Sequence, residues 1–400
     1  MPESSVIPRP RILHLSGDFP DTITAFKTPV IRSHIDLTRE HFIHNVISMN
    51  RKSPEMARLL SAVVKGAGRP RLEIEAEPFS YGTALTYHAP GRGIFHATML
   101  RQIGRWIKAQ IDEMSKPDLL MGHKLGFEGF AIAEASRLTG IPYGISIQGD
   151  SDTKVLAARP DLGRPLARIF HDAAVVFPFS PWALDAVERK LGKRKGPTVL
   201  LPCPTDLDEP VTPVPGGQGL ITTFHLKNYR RKNLEGMASA LRILGGQGTL
   251  PELRVIGGGS PAEQLKCETL TGDLSTVHYA GPMDRAQLRQ AMSSARGFVM
   301  PSLRESFGLV FIEALFAGLP IVYPAGTAVD GYVDNLPFAL RVNPRDTQAI
   351  AGAMQTLDRD EANLKQQLAT WLQSDDARRF TRGAIAHQFE MGLLTAISGR

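Results

Sequence analysis

Short β-branched runs alternate with longer stretches of helical period along the whole chain, a pattern that predicts an α/β protein built on parallel sheets. In the first half, strands are expected at 11–16, 44–49, 118–122, 143–147, 173–178 and 198–202, with helices at 29–40, 94–114, 127–140 and 181–192. The second half repeats the rhythm with strands at 219–224, 253–257, 276–281, 297–301, 320–324 and 338–342, after which the pattern is wholly helical. Between the two halves, residues 202–219 carry prolines and glycines that can continue neither helix nor strand. These patterns predict two doubly wound, Rossmann-like domains: residues 1–204, a linker at 205–218, and residues 219–375. A last helical segment, 376–400, is free to cap its own sheet or to cross back to the first. Open α/β sheets bind ligands beyond the carboxyl ends of their strands, so a site is expected there, in a cleft between the halves.

Composition narrows the function classes. Four hundred residues fit two domains at about 100 to 200 residues each, and 42% hydrophobic with 22% charged residues is ordinary for a folded chain. The balance of 46 Lys+Arg against 40 Asp+Glu gives +6, a bias toward anionic small molecules or an acidic membrane surface that does not call for nucleic acid. Cys203 and Cys267 are too few for a disulfide framework or a four-cysteine zinc site, which suits a reducing compartment. The start carries acid and proline in place of a signal peptide, and no apolar run reaches about 18 residues. A cytoplasmic protein is expected, peripheral to the inner face of the plasma membrane at most.

The most informative stretch is Met300 to Val333. A strand runs into the loop Ser302–Gly308 and then into a helix with Leu309, Ile312, Leu315 and Phe316 on its apolar face. Gly308 permits close backbone approach, and the free N–H groups of the helix's first turn make an anion site suited to phosphate. Glu305 in the loop and Glu313 on the second turn are expected to face the same crevice, where a carboxylate matches a vicinal diol. Glu313 sits among Phe311, Ile312, Ala314 and Leu315, surroundings in which an acid needs a partner.

The run E-S-F-G-L-V-x-x-E-A, followed by A-G-x-P-I-V, resembles the two-glutamate motif of retaining GT-B glycosyltransferases of family 4, group 1. The resemblance covers most of the chain and is strongest in the second half. It implies that Glu313 binds the nucleotide ribose, while Glu305 and the backbone of Ser306, Phe307, Gly308 and Leu309 meet the donor sugar and diphosphate. It matches Lys232 to the family lysine that contacts the diphosphate. Lys227 falls where the family has arginine, so the bidentate fork is lost and Arg230 or Arg231 is a substitute. Gly258 in the turn 256–261 and Met283, in the segment that reads the base in relatives, complete the donor side. Catalytic roles are implied for Glu305, Lys232 and His123.

The first half departs more from the family. In place of a glycine-rich loop after the first strand it has Gly17 alone, so Lys27 and Thr28, just before a helix, are expected to serve the acceptor side. His123 is a candidate sugar or acceptor contact. Gln148 stands where the family has a histidine; it can orient a hydroxyl but cannot take a proton. Reaction on one face of the sugar, with the leaving diphosphate accepting the proton, needs neither a histidine there nor two flanking acids.

The implied partners are a nucleotide sugar, a UDP-sugar ahead of a GDP-sugar, and a glycan or lipid-linked glycan acceptor. No cofactor and no metal are expected: Asp150/Asp152 and Asp206/Asp208 have a D-x-D look but lack the context of a metal-binding motif, and no phosphate-loop signature occurs. Residues 91–93 read as a turn. The helix 94–114, whose stretch 91–110 holds Arg92, Arg101, Arg105 and Lys108 and no acid, and the run Lys193, Arg194, Lys195 give a basic face suited to anionic lipid. Rival readings are a catalytically inactive nucleotide-sugar-binding subunit and a non-hydrolysing sugar-nucleotide epimerase.

Overall fold

The computed structural model describes residues 8–53, 72–89, 96–248 and 250–399. The chain forms two compact units. The first comprises the chain to Phe179 with Ala183–Leu201 and Ile385–Arg400, and the second comprises Ser180–Trp182 and Pro202–Ala384.

The first unit's sheet contains β1 (Arg11–Ser16), β2 (Ile43–Lys52), β3 (Ile74–Phe79), β4 (Gly82–His88), β5 (Leu119–Gly122), β6 (Tyr143–Ile147) and β7 (Val175–Pro178), in the order β3-β4-β2-β1-β5-β6-β7. All pairings are parallel except β3 with β4. The central strands are continuous apolar runs because helices cover both faces, and β5, β6 and β7 are buried at every position. The hairpin β3–β4 escapes the sequence pattern: β3 is an edge strand, exposed over Glu75–Pro78, and its proline is tolerated there. The strand expected at 198–202 is not one, contributing only a bridge from Thr198 to Val176. The helices Asp150–Ala158 and Gly163–Asp172 lie in a stretch where the sequence pattern had suggested none.

The last helix, Arg382–Ser398, buries Ile385, Phe389, Leu393 and Ala396 in a cluster with Ile12, Phe42, Met121 and Phe177 of the first unit. The helix His96–Asp112 turns Met99, Leu100, Ile103, Ile107 and Ile111 into the same unit's core. The turn expected at 91–93, and Arg92, Ile94 and Phe95, lie outside the described residues. Among the described residues no helix is long and apolar enough to cross a membrane.

The second unit's sheet contains β8 (Leu220–Thr223), β9 (Leu253–Ile256), β10 (Val277–Gly281), β11 (Gly297–Val299), β12 (Ile321–Pro324) and β13 (Ala339–Val342), in the order β10-β9-β8-β11-β12-β13, all parallel. The run 205–218, expected as a linker, is bound to this unit. Val211 N–H donates to the Phe316 carbonyl (2.7 Å), the Lys365 ammonium donates to the Val214 carbonyl (2.8 Å), and Gly217 N–H donates to Glu361 (2.8 Å). Proline and glycine removed its regular structure without freeing it.

In each sheet the strand order reverses beside the first strand of its unit, β1 and β8. Neighbouring loops diverge at such a switch point and leave space for a ligand. In the first unit it gathers the loops after β1, β5 and β6, and in the second the loops after β8 and β11.

Candidate functional site

The second unit assembles its switch point from two loops. The loop after β8 ends at Asn233, which adopts a left-handed conformation (φ 62°) and caps the helix Leu234–Gly246 through its side-chain oxygen. Its amide nitrogen donates to the carbonyls of Pro301 (3.0 Å) and Pro344 (2.7 Å). Leu303 N–H donates to the Arg231 carbonyl at 2.9 Å. These bonds lace the basic loop to the loop after β11 and bring the Lys232 ammonium into an ion pair with Glu305, both side chains 12% exposed. Thr327, from the loop after β12, accepts from Glu305 N–H (3.0 Å) and donates to the Glu305 carbonyl. Asn233 and Thr327 are positioning residues that the sequence reading missed; an asparagine just before an apolar-periodic stretch was the available signal for the first.

Gly308 begins the helix Leu309–Phe316 with φ 72°, and a side chain there would sit 2.7 Å from the Phe311 ring, so only glycine fits. No side chain caps this helix and its first turn holds no acid. Its amino end is therefore positive in potential and suited to an anion. Ser306, Leu309 and Glu313 are half-buried, while Phe307 is buried with its ring edge-on to Tyr332, so only its backbone is available to a ligand. Glu313 accepts a hydrogen bond of 2.7 Å from the buried Thr205 hydroxyl, which answers the need of that acid for a partner.

Lys227, Arg230 and Arg231 are exposed cations on the same loop as Lys232, with Arg230 lying over the Tyr229 ring. In the glycine turn after β9 the residue the backbone demands is Gly257, not Gly258. At Gly257 φ is 152° and a Cβ would lie 1.9 Å from the Phe224 carbonyl, whereas at Gly258 the nearest atom would be 3.6 Å away. Met283 is half-buried just before a helix capped by Asp284.

The first unit's candidates occupy a different kind of environment. Register places Leu15 of β1 beside Gly122 of β5, so the loops holding Gly17 and His123 are adjacent. Gly17 N–H is already taken, donating to Glu128 at 2.7 Å. Lys27 was expected on the acceptor side, yet all three of its protons are committed, to Asp21 (2.8 Å), Ser48 (2.9 Å) and the Met49 carbonyl (3.1 Å). It is a structural lysine, and Thr28 beside it is exposed. Burial opposes ionisation of Asp21, but hydrogen bonds from Lys27, Ser48, Asn50 and the Thr24 backbone outweigh it and hold this carboxyl at about 2.

His123 is 1% exposed, and both ring nitrogens are engaged, one with His14 (3.0 Å) and the other with Ser146 (3.3 Å). His14 continues to His44 at 2.8 Å and His44 to the Thr38 hydroxyl at 3.1 Å. Burial pushes His123 down to about 3 and His44 to about 4, and moves His14 the same way, so the array is neutral at ordinary pH. His123, the candidate sugar or acceptor contact, is thus a buried ring whose one donor and one acceptor are both engaged within the array. Gln148 donates from its side chain to the His123 carbonyl at 2.7 Å.

The acid of the first D-x-D pair that matters is Asp152. Fully buried, it accepts from Leu125 N–H (2.9 Å) and Gly126 N–H (3.4 Å) on one oxygen, and from Gln148 N–H (2.9 Å) and Gly149 N–H (3.3 Å) on the other. It clamps the β5 and β6 loops together. Asp150 pairs with Lys154, Asp206 with Arg285 and Arg382, and Asp208 accepts from Arg382 N–H. Glu128, unnoticed in the sequence, is fully buried with one oxygen on Gly17 and the other without a hydrogen-bond partner among the described residues. Burial raises it to about 7 against the pull of nearby Lys124, which pairs with Asp18 at 2.6 Å.

The architecture is that of known GT-B proteins. A sucrose-phosphate synthase from Thermosynechococcus elongatus superposes with a TM-score of 0.65 at 20% identity, covering 98% of this chain and 100% of that one. An α,α-trehalose-phosphate synthase (UDP-forming) from Burkholderia xenovorans does so with 0.64 at 15%, covering 96% and 100%. At such identities the likeness establishes the fold, GT-B, and nothing finer. In sequence, a D-inositol 3-phosphate glycosyltransferase of Jonesia denitrificans is 33% identical over 146 residues, 34% of this chain and 34% of that protein. The chain thus matches about a third or less of the length of such relatives. Residues 219–360, which hold the Lys232–Glu305 pair and the Gly308 helix entry, match the family model described as Glycosyl transferases group 1.

Proposed function

We propose that the protein is a retaining glycosyltransferase that moves a hexose from a nucleotide sugar to a hydroxyl of a glycan or lipid-linked glycan in cell-surface or exopolysaccharide assembly. The observation that carries this reading is the meeting of Lys232 and Glu305 beside an uncapped helix amino end, with Glu313 one turn further on. In this reading the diphosphate lies against the N–H groups after Gly308 and competes for Lys232. Lys232 then stabilises the charge on the departing diphosphate, and Glu305, released from its ion pair, accepts hydrogen bonds from the sugar hydroxyls. Glu313, oriented by Thr205, receives the ribose diol. The leaving diphosphate takes the acceptor's proton on the same face of the sugar, so no histidine is required, which accords with the internal engagement of His123. A UDP-hexose is the first donor to test, in line with the UDP-forming activity named for the Burkholderia synthase, and a GDP-hexose the second.

The test is release of free nucleotide from UDP- and GDP-hexoses, preceded by a thermal-shift comparison of UDP, GDP, ADP and CMP sugars, because a ligand that binds only the folded chain raises its melting point. Glu305→Ala is expected to lower turnover by about 100-fold with the fold intact. Unchanged turnover in that variant removes Glu305 from the mechanism. Donor binding without any nucleotide release by the wild type makes the protein a binding subunit instead.

A further inference from the structure

The basic helix noted in the sequence contributes Arg101 to the wall of a cavity. This cavity of about 640 Å³ opens in the helix layer of the first unit, lined by the helices His96–Asp112, Glu128–Thr139 and Gly163–Asp172 and by Tyr143 at the start of β6. Gly17, His123 and Gln148 are not among its walls. Four arginines line it, Arg101, Arg137, Arg164 and Arg168, against two carboxylates, Glu134 and Asp172. One of those carboxylates is already committed: Arg137 holds Glu134 with two bonds of 3.0 Å, and Arg105 approaches it at 3.4 Å.

The other three guanidiniums are left over. Arg101 lies over the Phe130 ring at 5.7 Å, and neither it nor Arg164 nor Arg168 has an ion-pair partner among the described residues. Arg164 and Arg168 stand four apart on one helix, so like charges face each other across a turn, a mildly unfavourable arrangement that an anion would reverse. Guanidinium forks match phosphate oxygens in geometry, and the cavity is larger than a bare phosphate requires.

We propose that this cavity binds a phosphate ester of lipid-headgroup or sugar-phosphate size, in addition to and independently of the nucleotide-sugar reading of the second unit. The positive groups are exposed while Phe130, Ile169 and Tyr143 behind them are buried, so the phosphate meets the arginines and the alcohol part of the ester meets the apolar wall. Two other basic groups named in the sequence do not compete for this role. Lys108 pairs with Asp112, and Arg194 is spent on the carbonyls of Phe170, His171, Ala173 and Pro197.

The experiment uses the full chain and two probes: glycerol phosphate followed by calorimetry, and vesicles of phosphatidylglycerol against phosphatidylcholine followed by flotation. Wild type is expected to bind at least one phosphate-ester probe saturably, and Arg164→Ala/Arg168→Ala to weaken that binding tenfold or more while nucleotide release stays unchanged. Binding to glycerol phosphate alone identifies a soluble ester as the source, and binding to phosphatidylglycerol alone a headgroup. Lys232→Ala separates the two units: if it abolishes glycerol phosphate binding, the phosphate sits in the second unit and the proposal falls. It also falls if the double variant binds as wild type does, or if wild type binds neither probe. Should the alanine pair fail to fold, Arg164→Gln/Arg168→Gln keeps much of each side-chain stem and reads the same loss.

Discussion

The two switch points use similar residue types in opposite ways. In the second unit, Lys227, Arg230 and Arg231 are exposed, and Glu305, Lys232 and Glu313 are half-buried beside an uncapped helix end. In the first unit, Asp21, Asp152, Glu128, His14 and His123 are buried, Lys27 and His44 are half-buried, and all are tied to one another or to backbone. The first arrangement leaves charge available to a ligand, and the second consumes it in holding loops. The number of polar residues at a strand end therefore says little about binding until their partners are counted.

The sharpest test of this contrast is Asp152. Asp152→Ala strands four backbone N–H groups of the β5 and β6 loops, and each buried donor left without a partner costs about 1 to 3 kcal/mol. With partial relaxation the total loss is expected at about 4 kcal/mol, measured by urea unfolding. Asp152→Asn keeps one acceptor oxygen and is expected to lose about half as much. A loss below about 1 kcal/mol for the alanine variant means that the clamp is not needed.

Two lysines make the comparison at fixed chemistry. Lys27→Met removes the counter-charge of the buried Asp21 carboxylate, leaving only its neutral hydrogen-bond donors, and is expected to destabilise the fold by about 3 kcal/mol. Lys227→Met, at an exposed position, is expected to change stability by less than about 0.5 kcal/mol and to show its effect in donor affinity instead. Equal stability losses would erase the distinction between the two units.

Much of the second unit was legible in the sequence because its signals are local. Every strand expected there formed, and Gly308 and Glu305 stand within one strand-loop-helix element. Lys232 was identified by likeness, but what seats it beside Glu305 is Asn233, whose contacts lie 68 and 111 residues away and leave no local pattern. The first unit was harder for the same reason. Its histidine array joins residues 30 and 109 apart in sequence, and no periodicity announces that His14, His44 and His123 share one side of a sheet. Lys27, just before a helix, reads in the sequence as an anion contact, whereas the Ser48 and Met49 oxygens that accept its hydrogen bonds come from the next strand. The β3–β4 hairpin was missed because an exposed edge strand has no apolar face to display.

The pH response of Glu128 sharpens the comparison from the side of the first unit. Its folded-state value of about 7 stands above the ordinary 4.5 because burial disfavours the carboxylate, with the attraction of Lys124 opposing. A raised carboxyl contributes its stability fully below the unfolded value and loses it as pH rises through the folded one. Glu128→Gln cannot ionise but can still accept from Gly17 N–H, so its stability relative to wild type should be flat below pH 4.5 and rise between about 4.5 and 7. The gain should level off above that at about 3 kcal/mol, since each pH unit between the two values is worth about 1.4 kcal/mol. The histidines have the opposite sign: with folded values depressed to about 4 and 3 for His44 and His123, they cost stability as pH falls below about 6.5, in wild type and variant alike. Subtracting the two unfolding curves at each pH therefore isolates Glu128. A difference that does not vary between pH 4.5 and 8 would mean that this acid reaches water or a counter-charge, and that the first unit's polar cluster is less closed than its hydrogen bonds imply.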